Sequence, residues 1–285
     1  MDIQPDPSAS TPSDRTAVLL HGKNFCGTSW EITALVLLSS GYRVIIPDQI
    51  GFCKSSKPAA YQFSLQQLAW NTQSILTSLN VTSSVTLMGH SLGGMLATRF
   101  TLMYPSFVSR LVLVDPIGLE DWKAKGVPYL SIDEIYRSER MSNYTSIRAY
   151  EQSTYYAGSW SPSYDVWVDM LAGIYKGPEA EEYAFDQALI TDAVYTQPVV
   201  YELPLLANTK TLLVVGDKDN TAIGKAWAPP NVQRILGNYS ALGKDAVRAI
   251  GPNATLVEFA DLGHAPQIQA PERFHDALMS WLGQS

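Results

Sequence analysis

Two cysteines in 285 residues are too few for a disulfide-stapled fold or for a structural zinc site built on thiolates. No apolar run reaches the ~18 residues a membrane span needs, so no transmembrane helix is expected. Basic residues are outnumbered, 20 Lys and Arg against 27 Asp and Glu, for a net charge of −7, and they do not cluster. That argues against a nucleic-acid or anionic-membrane partner. Only four histidines are present, so chemistry that needs an imidazole has four candidates. What the chain does have is apolar material. Hydrophobic residues make up 46% and charged residues 16%, which allows a full core and excludes global disorder. The length fits one large α/β domain, or a core with a lid.

The first fifteen residues are polar and rich in Pro and Ser, without the apolar stretch of a signal peptide. Four Asn-x-Ser/Thr sequons, at Asn80, Asn143, Asn238 and Asn253, hint mildly at a secreted parent protein. The chain as given therefore reads as cytoplasmic, with secretion left open if a leader precedes it.

Short β-branched runs alternate with helical periods. Ala17–Leu20, Arg43–Pro47, Ser84–Met88, Arg110–Val114, Thr211–Val215 and Ala254–Phe259 are apolar on successive residues, as strands covered on both faces must be. Ser64 and Gln67 predict a capping box, followed by Leu65, Leu68, Ile75, Leu76 and Leu79 at helical spacing. Leu92–Tyr104 reads as a helix stopped by Pro105, and Pro271 opens a last helix. This alternation predicts an α/β fold with a doubly wound, mainly parallel sheet, whose site lies at the carboxyl ends of the strands. From Leu119 to Pro204 no strand is readable, and most of the 15 tyrosines fall there. That stretch is expected to be a helical lid between core segments 16–118 and 205–285, after a polar segment 1–15. Most of its aromatics should pack on each other, with a minority facing the site.

The segment Gly89-His90-Ser91-Leu92-Gly93 follows a predicted strand and opens a predicted helix. Gly-x-Ser-x-Gly in that context puts the serine on a sharp, strained turn with its hydroxyl exposed. Side chains at Gly89 and Gly93 would collide with neighbouring backbone. A serine needs a base. His21 opens a loop, His90 lies inside the turn and should point away from the nucleophile, and His275 sits in the last helix, where a solvated role is expected. His264 follows the last strand directly and is the candidate base. A carboxylate must orient it. Asp219 follows another strand and is the candidate acid. Asp217 could cap the turn instead, and Asp115, at the end of Arg110–Val114, is a rival acid. The order Ser91, Asp219, His264 suits a nucleophile-elbow fold.

These residues, with His21-Gly22, Pro47-Asp48-Gln49-Ile50-Gly51, Gly216-Asp217-Lys218-Asp219 and Gly263-His264, resemble the α/β-hydrolase superfamily over nearly the whole chain from Thr16. The likeness is to its lid-bearing esterases, lactonases and C–C bond hydrolases. It implies Ser91 as nucleophile, Asp219 as acid, His264 as base, and the backbone amides of Lys23 and Leu92 as the oxyanion hole. A serine at the elbow argues against the Asp-nucleophile branches, the epoxide hydrolases and haloalkane dehalogenases. Asn24 stands where many relatives have proline, and Cys53 where they have a small glycine. The family places the loops of Cys26 and Cys53 at the same sheet edge, so a disulfide is open, with two free thiols as the default. Relatives carry one or two more strands before His21-Gly22. The N-terminal strands are therefore expected to be shortened, with Met1–Gln4 a remnant of the second.

The reading that follows is a serine hydrolase cleaving an ester, lactone or related carbonyl compound, with no metal or organic cofactor. A C–C hydrolase, aminopeptidase or lyase/cyclase with the same triad is the alternative, and a ligand-binding receptor on this fold the third. Asn24, Phe25, His90, Trp122, Trp160 and Trp167 are the candidates to line the pocket. The lid and the stretch Asn220 to Gly237 should shape it, and the expected partner is a small apolar or aromatic molecule.

Overall fold

The computed structural model describes residues 1–5 and 15–284; residues 6–14 of the polar N-terminal segment, and Ser285, lie outside them. Among the described residues seven strands form one sheet. They are β1 (Asp2–Ile3), β2 (Thr16–Leu20), β3 (Arg43–Ile45), β4 (Val85–His90), β5 (Val108–Val114), β6 (Lys210–Gly216) and β7 (Ala254–Phe259). Their order is β1-β3-β2-β4-β5-β6-β7. Every pairing is parallel except β1 with β3, where Met1–Gln4 was expected to contribute a strand.

Alternation within each strand builds two cores. Val18, Leu20, Leu87, Leu111, Leu113, Leu213 and Val215 face one side. Ala17, Leu19, Met88, Val112, Val114, Leu212 and Val214 face the other. Both faces are buried, which is why these runs are apolar throughout. The helices follow in chain order: α1 (Glu31–Ser39), α2 (Leu65–Ser78), α3 (Leu92–Met103), α4 (Ile132–Glu139), α5 (Tyr144–Thr154), α6 (Asp165–Ile174), α7 (Ala180–Thr196), α8 (Pro230–Gln233), α9 (Tyr239–Ile250), α10 (Pro266–Gln269) and α11 (Pro271–Leu282). Helices α2, α3 and α9 cover the first face, and α1 and α11 the second. The crossovers make this the doubly wound α/β sheet expected from the sequence.

Local sequence explains the boundaries. Ser64 Oγ accepts from the Gln67 amide and starts α2, but the Gln67 side chain turns to Asn71, so only half of the expected capping box forms. Pro105 stops α3, and Pro271 opens α11. His275 departs from the expectation of a solvated role. It is buried, and its Nε2 lies 2.9 Å from Thr33 Oγ1 of α1.

Helices α4 to α7 are the lid helices, inserted between β5 and β6. A small core of Ile147, Val168, Leu171 and Tyr183 joins α5, α6 and α7. A second cluster sets Tyr155 and Tyr156 against Phe25 and Ala265 of the sheet domain's loops. No helix of the described residues is long and apolar enough to cross a membrane.

Candidate active site

Ser91 sits between β4 and α3 at φ 56°, ψ −119°, a strained geometry for a residue with a side chain. The neighbouring glycines make room for it. A Cβ on Gly89 would stand 2.1 Å from the Gly93 carbonyl oxygen, and one on Gly93 2.1 Å from that of Leu20. The Ser91 hydroxyl does not cap α3, although Ser91 holds the N-cap position. It is left free for other work, and Ser91 lines a cavity of about 540 Å³. The N-terminus of α3 points its partial positive charge at this spot.

His264 and Asp219 come from the loops after β7 and β6. Both are buried, and His264 Nδ1 donates to Asp219 Oδ2 over 2.6 Å. Asp219 Oδ1 accepts from the Thr221 amide at 2.8 Å, which fixes the carboxylate. With Nδ1 donating, Nε2 is the acceptor nitrogen, and it has no partner among the described residues. The other histidines are structural. His21 Nε2 accepts from the Gln49 amide while its Nδ1 donates to the Gly22 carbonyl, tying two loops together. His90 Nε2 donates to the His264 carbonyl oxygen at 2.7 Å. Burial, then the neighbouring His264, push the His90 pKa well below its ordinary range, so it holds the His264 backbone as a neutral ring.

Asp115 is the rival acid. It is fully buried at φ 38°, and its Oδ1 accepts from the Gly216 amide at 2.9 Å. It lies beside the pair, with one atom each of Asp115, Asp219 and His264 within 4.8 Å of one another. Burial first, and the charge of Asp219 second, raise its pKa well above the carboxylate range. A second charge beside Asp219 is disfavoured in this buried place, so the protonated form of Asp115 is favoured.

The loop after β2 lies against the elbow: a Cβ on Gly22 would be 3.1 Å from Ser91 Cβ. Lys23 follows, and Leu92 opens α3, where the first amides have no acceptor within the helix. One expectation is overturned here. Cys26 and Cys53 are not free thiols but a disulfide, with Cα atoms 5.8 Å apart. Their loops leave the adjacent strands β2 and β3, and Asp48 Oδ1 also accepts from the Gly27 amide at 2.7 Å.

A cavity of about 540 Å³ opens from Ser91 between these loops and the lid. Its lining is polar at Lys23, Asn24, Glu139, Ser142 and Tyr175, among others, and apolar at Ile117, Leu130, Ile135, Ile147, Ile223 and Trp227. Lys23 Nζ pairs with Glu139 Oε1 at 2.6 Å, and Tyr175 donates to the same carboxylate.

Of the residues expected to line the pocket, only Asn24 does. Phe25 is buried against Tyr155 and Trp167. Trp122 donates to Glu120, Trp160 donates to Asp165, and His90 is spent on His264. The indole and ring faces they would have offered are consumed in packing. The aromatics that do reach the cavity are Tyr150, Tyr155, Tyr175 and Trp227. Trp227 lies in the stretch after Asn220 that was expected to shape the pocket, and nothing in its local sequence marked it.

Comparison with known proteins agrees with this geometry. The model of the alpha/beta hydrolase fold matches residues 18–137. Lipase 1 of Psychrobacter immobilis is 27% identical over 266 residues, 91% of this chain and 74% of the lipase. The crystal structure of a probable hydrolytic enzyme from Pseudomonas aeruginosa is 57% identical and superposes with a TM-score of 0.95, covering 100% of this chain and 89% of that one. An esterase from Exiguobacterium antarcticum shares the fold at a TM-score of 0.74 and 22% identity, over 100% of this chain and 94% of the esterase. With a serine elbow, a mostly parallel sheet and lid helices between β5 and β6, the chain belongs to the α/β-hydrolase superfamily as a lid-bearing serine hydrolase.

Proposed function

We propose that the protein hydrolyses carboxylic esters of small to medium size through an acyl-enzyme on Ser91. The observation that carries this is a strained serine, free of any capping bond, facing a cavity beside a buried His264–Asp219 pair joined over 2.6 Å. In this reading His264 Nε2 takes the proton of Ser91 as the hydroxyl oxygen attacks the substrate carbonyl. Asp219 keeps Nδ1 protonated and stabilises the imidazolium. The amides of Lys23 and Leu92 donate to the oxyanion, each supplying about 3 kcal/mol of transition-state stabilisation. His264 then gives its proton to the leaving alcohol, and water, activated by the same base, releases the acid. This chemistry asks for no metal or organic cofactor. Residues 119–204 act as the lid that bounds the substrate.

The cavity's mixed polar and apolar lining supports an ester with an apolar acyl part and a neutral polar end. A charged end would have to break the Lys23–Glu139 pair, which is shielded by the lid. The lipase name of the Psychrobacter relative and the esterase name of the Exiguobacterium one point the same way.

Hydrolysis of a p-nitrophenyl ester series tests the proposal. Wild type should turn over short and medium acyl chains and be labelled by a fluorophosphonate. Ser91→Ala should lose both, with a rate loss of about 10⁴-fold or more. Labelling without turnover of any ester would move the substrate to a C–C or cyclisation class. An unlabelled wild type would remove the serine mechanism.

A further inference from the structure

Tyr155 belongs to the lid, yet it touches three parts of the catalytic site. Its position is the C-cap of α5, and it is buried. Its carbonyl oxygen accepts from the His264 amide at 2.9 Å. Its ring stacks on the imidazole of His264, centroids 4.8 Å apart and planes 28° apart. It also stacks on Phe25 of the oxyanion loop, at 5.7 Å and 27°. Its hydroxyl accepts from Asn24 Nδ2 of the same loop at 2.8 Å. Its ring also meets that of Tyr150 edge-on, with centroids 5.3 Å apart, and Tyr150 lines the cavity.

The approach of this segment to the base is tight. A Cβ on Gly263 would stand 2.4 Å from the Tyr155 carbonyl oxygen, so the residue before His264 has to be glycine for the lid to reach it. Ordinary lid packing does not require contact with both the base and the oxyanion loop. An imidazole that must alternate between neutral and charged forms gains from a fixed aromatic face, since the ring's negative face favours the imidazolium. An oxyanion amide gains from a loop that does not move between ground and transition state.

Building on the serine-hydrolase reading, we propose that Tyr155 is a positioning residue, which sets the imidazole plane of His264 with its ring and the oxyanion loop with its hydroxyl through Asn24. The lid is then part of the catalytic apparatus as well as the wall of the substrate cavity. The two functions of Tyr155 separate by substitution. Tyr155→Phe removes the hydroxyl and keeps the stack. Tyr155→Leu removes both.

The experiment is ester kinetics over pH, with thermal melts and fluorophosphonate labelling rates, on wild type, Tyr155→Phe, Tyr155→Leu, Asn24→Ala and the Tyr155→Phe/Asn24→Ala double variant. Tyr155→Phe should lower kcat about tenfold with KM changed less than twofold and the acidic limb of the kcat/KM profile unmoved. Asn24→Ala should match it, and the double variant should be no slower than either single one, because the two groups act as one unit. Tyr155→Leu should be slower still, with the acidic limb displaced, because the face of His264 has changed. Multiplying losses in the double variant, or wild-type kcat in Tyr155→Phe, would overturn the proposal. So would a Tyr155→Leu variant whose loss tracks its melting temperature alone, with the pH profile intact. If wild type itself is not labelled, the serine-hydrolase reading fails first and takes this one with it; a labelled wild type with indifferent Tyr155 variants leaves that reading standing.

Discussion

At the scale of single residues, the division of labour among three buried acids is set by what surrounds each. Asp219 is held by the Thr221 amide and by His264, so its charge has partners. Asp115 accepts from the Gly216 amide, and it faces Asp219, whose charge together with burial favours its protonated form. A protonated carboxyl and a carboxamide are nearly the same shape. Asp115→Asn should therefore keep kcat within about threefold, whereas Asp219→Asn should lower it by about 10³- to 10⁴-fold, by favouring the wrong imidazole tautomer. Steady-state kinetics on the two variants checks this; equal losses would mean that Asp115 shares the charge. Glu151, in α5, is the third acid. Both its carboxyl oxygens are buried without a partner, and burial raises its pKa to about 8. The sign follows from proton counting. Between the ordinary carboxylate range and about pH 8 the folded chain holds a proton that the unfolded chain has released, so stability falls as pH rises through that window. Glu151→Gln removes the titration. Its stability relative to wild type should rise over the same window, by an amount on the order of a few kcal/mol at its upper end. Denaturant melts at pH 5 and pH 8.5 measure it, and a pH-independent difference would contradict the buried, protonated state.

Between residue and domain, the loops after β2 and β3 behave as one element. The Cys26–Cys53 disulfide and the Asp48–Gly27 bond tie them, and Asn24 links them to the lid. A cross-link over a sequence separation of 27 residues restricts the unfolded chain by about 3–4 kcal/mol. Cys53→Ser, or reduction of wild type, should lower the melting temperature by several degrees. It should also lower kcat more than it raises KM, since the loosened loop carries the proposed Lys23 donor. An unchanged kcat at a temperature well below the melt would place the bond in stability alone. Such bonds persist in oxidising surroundings. The lid elements show the opposite trait. Most of their aromatics are consumed internally, as in the stacked Tyr156–Tyr164 pair at 3.9 Å, which gives the lid enough core of its own to hold a cavity open beneath it.

For the whole molecule, the cavity is what the sheet and the lid make together. Trp227 is part of its apolar lining, and its Nε1 donates to the Pro128 carbonyl oxygen at 3.0 Å. Trp227→Ala should enlarge the cavity there and shift the preferred acyl chain to a greater length. A change on the order of tenfold in the ratio of kcat/KM for long against short esters is expected, the size of a few methylene contacts. The p-nitrophenyl series reads this directly, and an unchanged ratio would put the acyl chain elsewhere. The same contrast between local and long-range constraint decides what could be read in advance. Gly89, Ser91 and Gly93 were legible because the elbow's collisions lie within a few residues and one strand. His264 and Asp219 were legible because strand ends in a parallel sheet converge on one edge, wherever they lie in the chain. Trp122, Trp160 and Trp167 were misjudged as pocket residues, because an aromatic's sequence position says that it is buried but not against what. The cysteines were taken as free by default because no local pattern distinguishes a paired thiol from an unpaired one. By itself, then, the sequence determined the strands and the elbow, since each rests on backbone sterics and apolar periodicity acting over short distances, and it named Asp219 and His264 as candidates at strand ends, with Asp115 left as a rival acid. Only the tertiary structure decided that Cys26 meets Cys53, that Asp115 is buried beside Asp219, and that Tyr155 lies on His264. Each of those depends on the distance between groups that the chain separates by 27 residues or more, and on the low-dielectric burial that exists only once the lid has closed over the sheet.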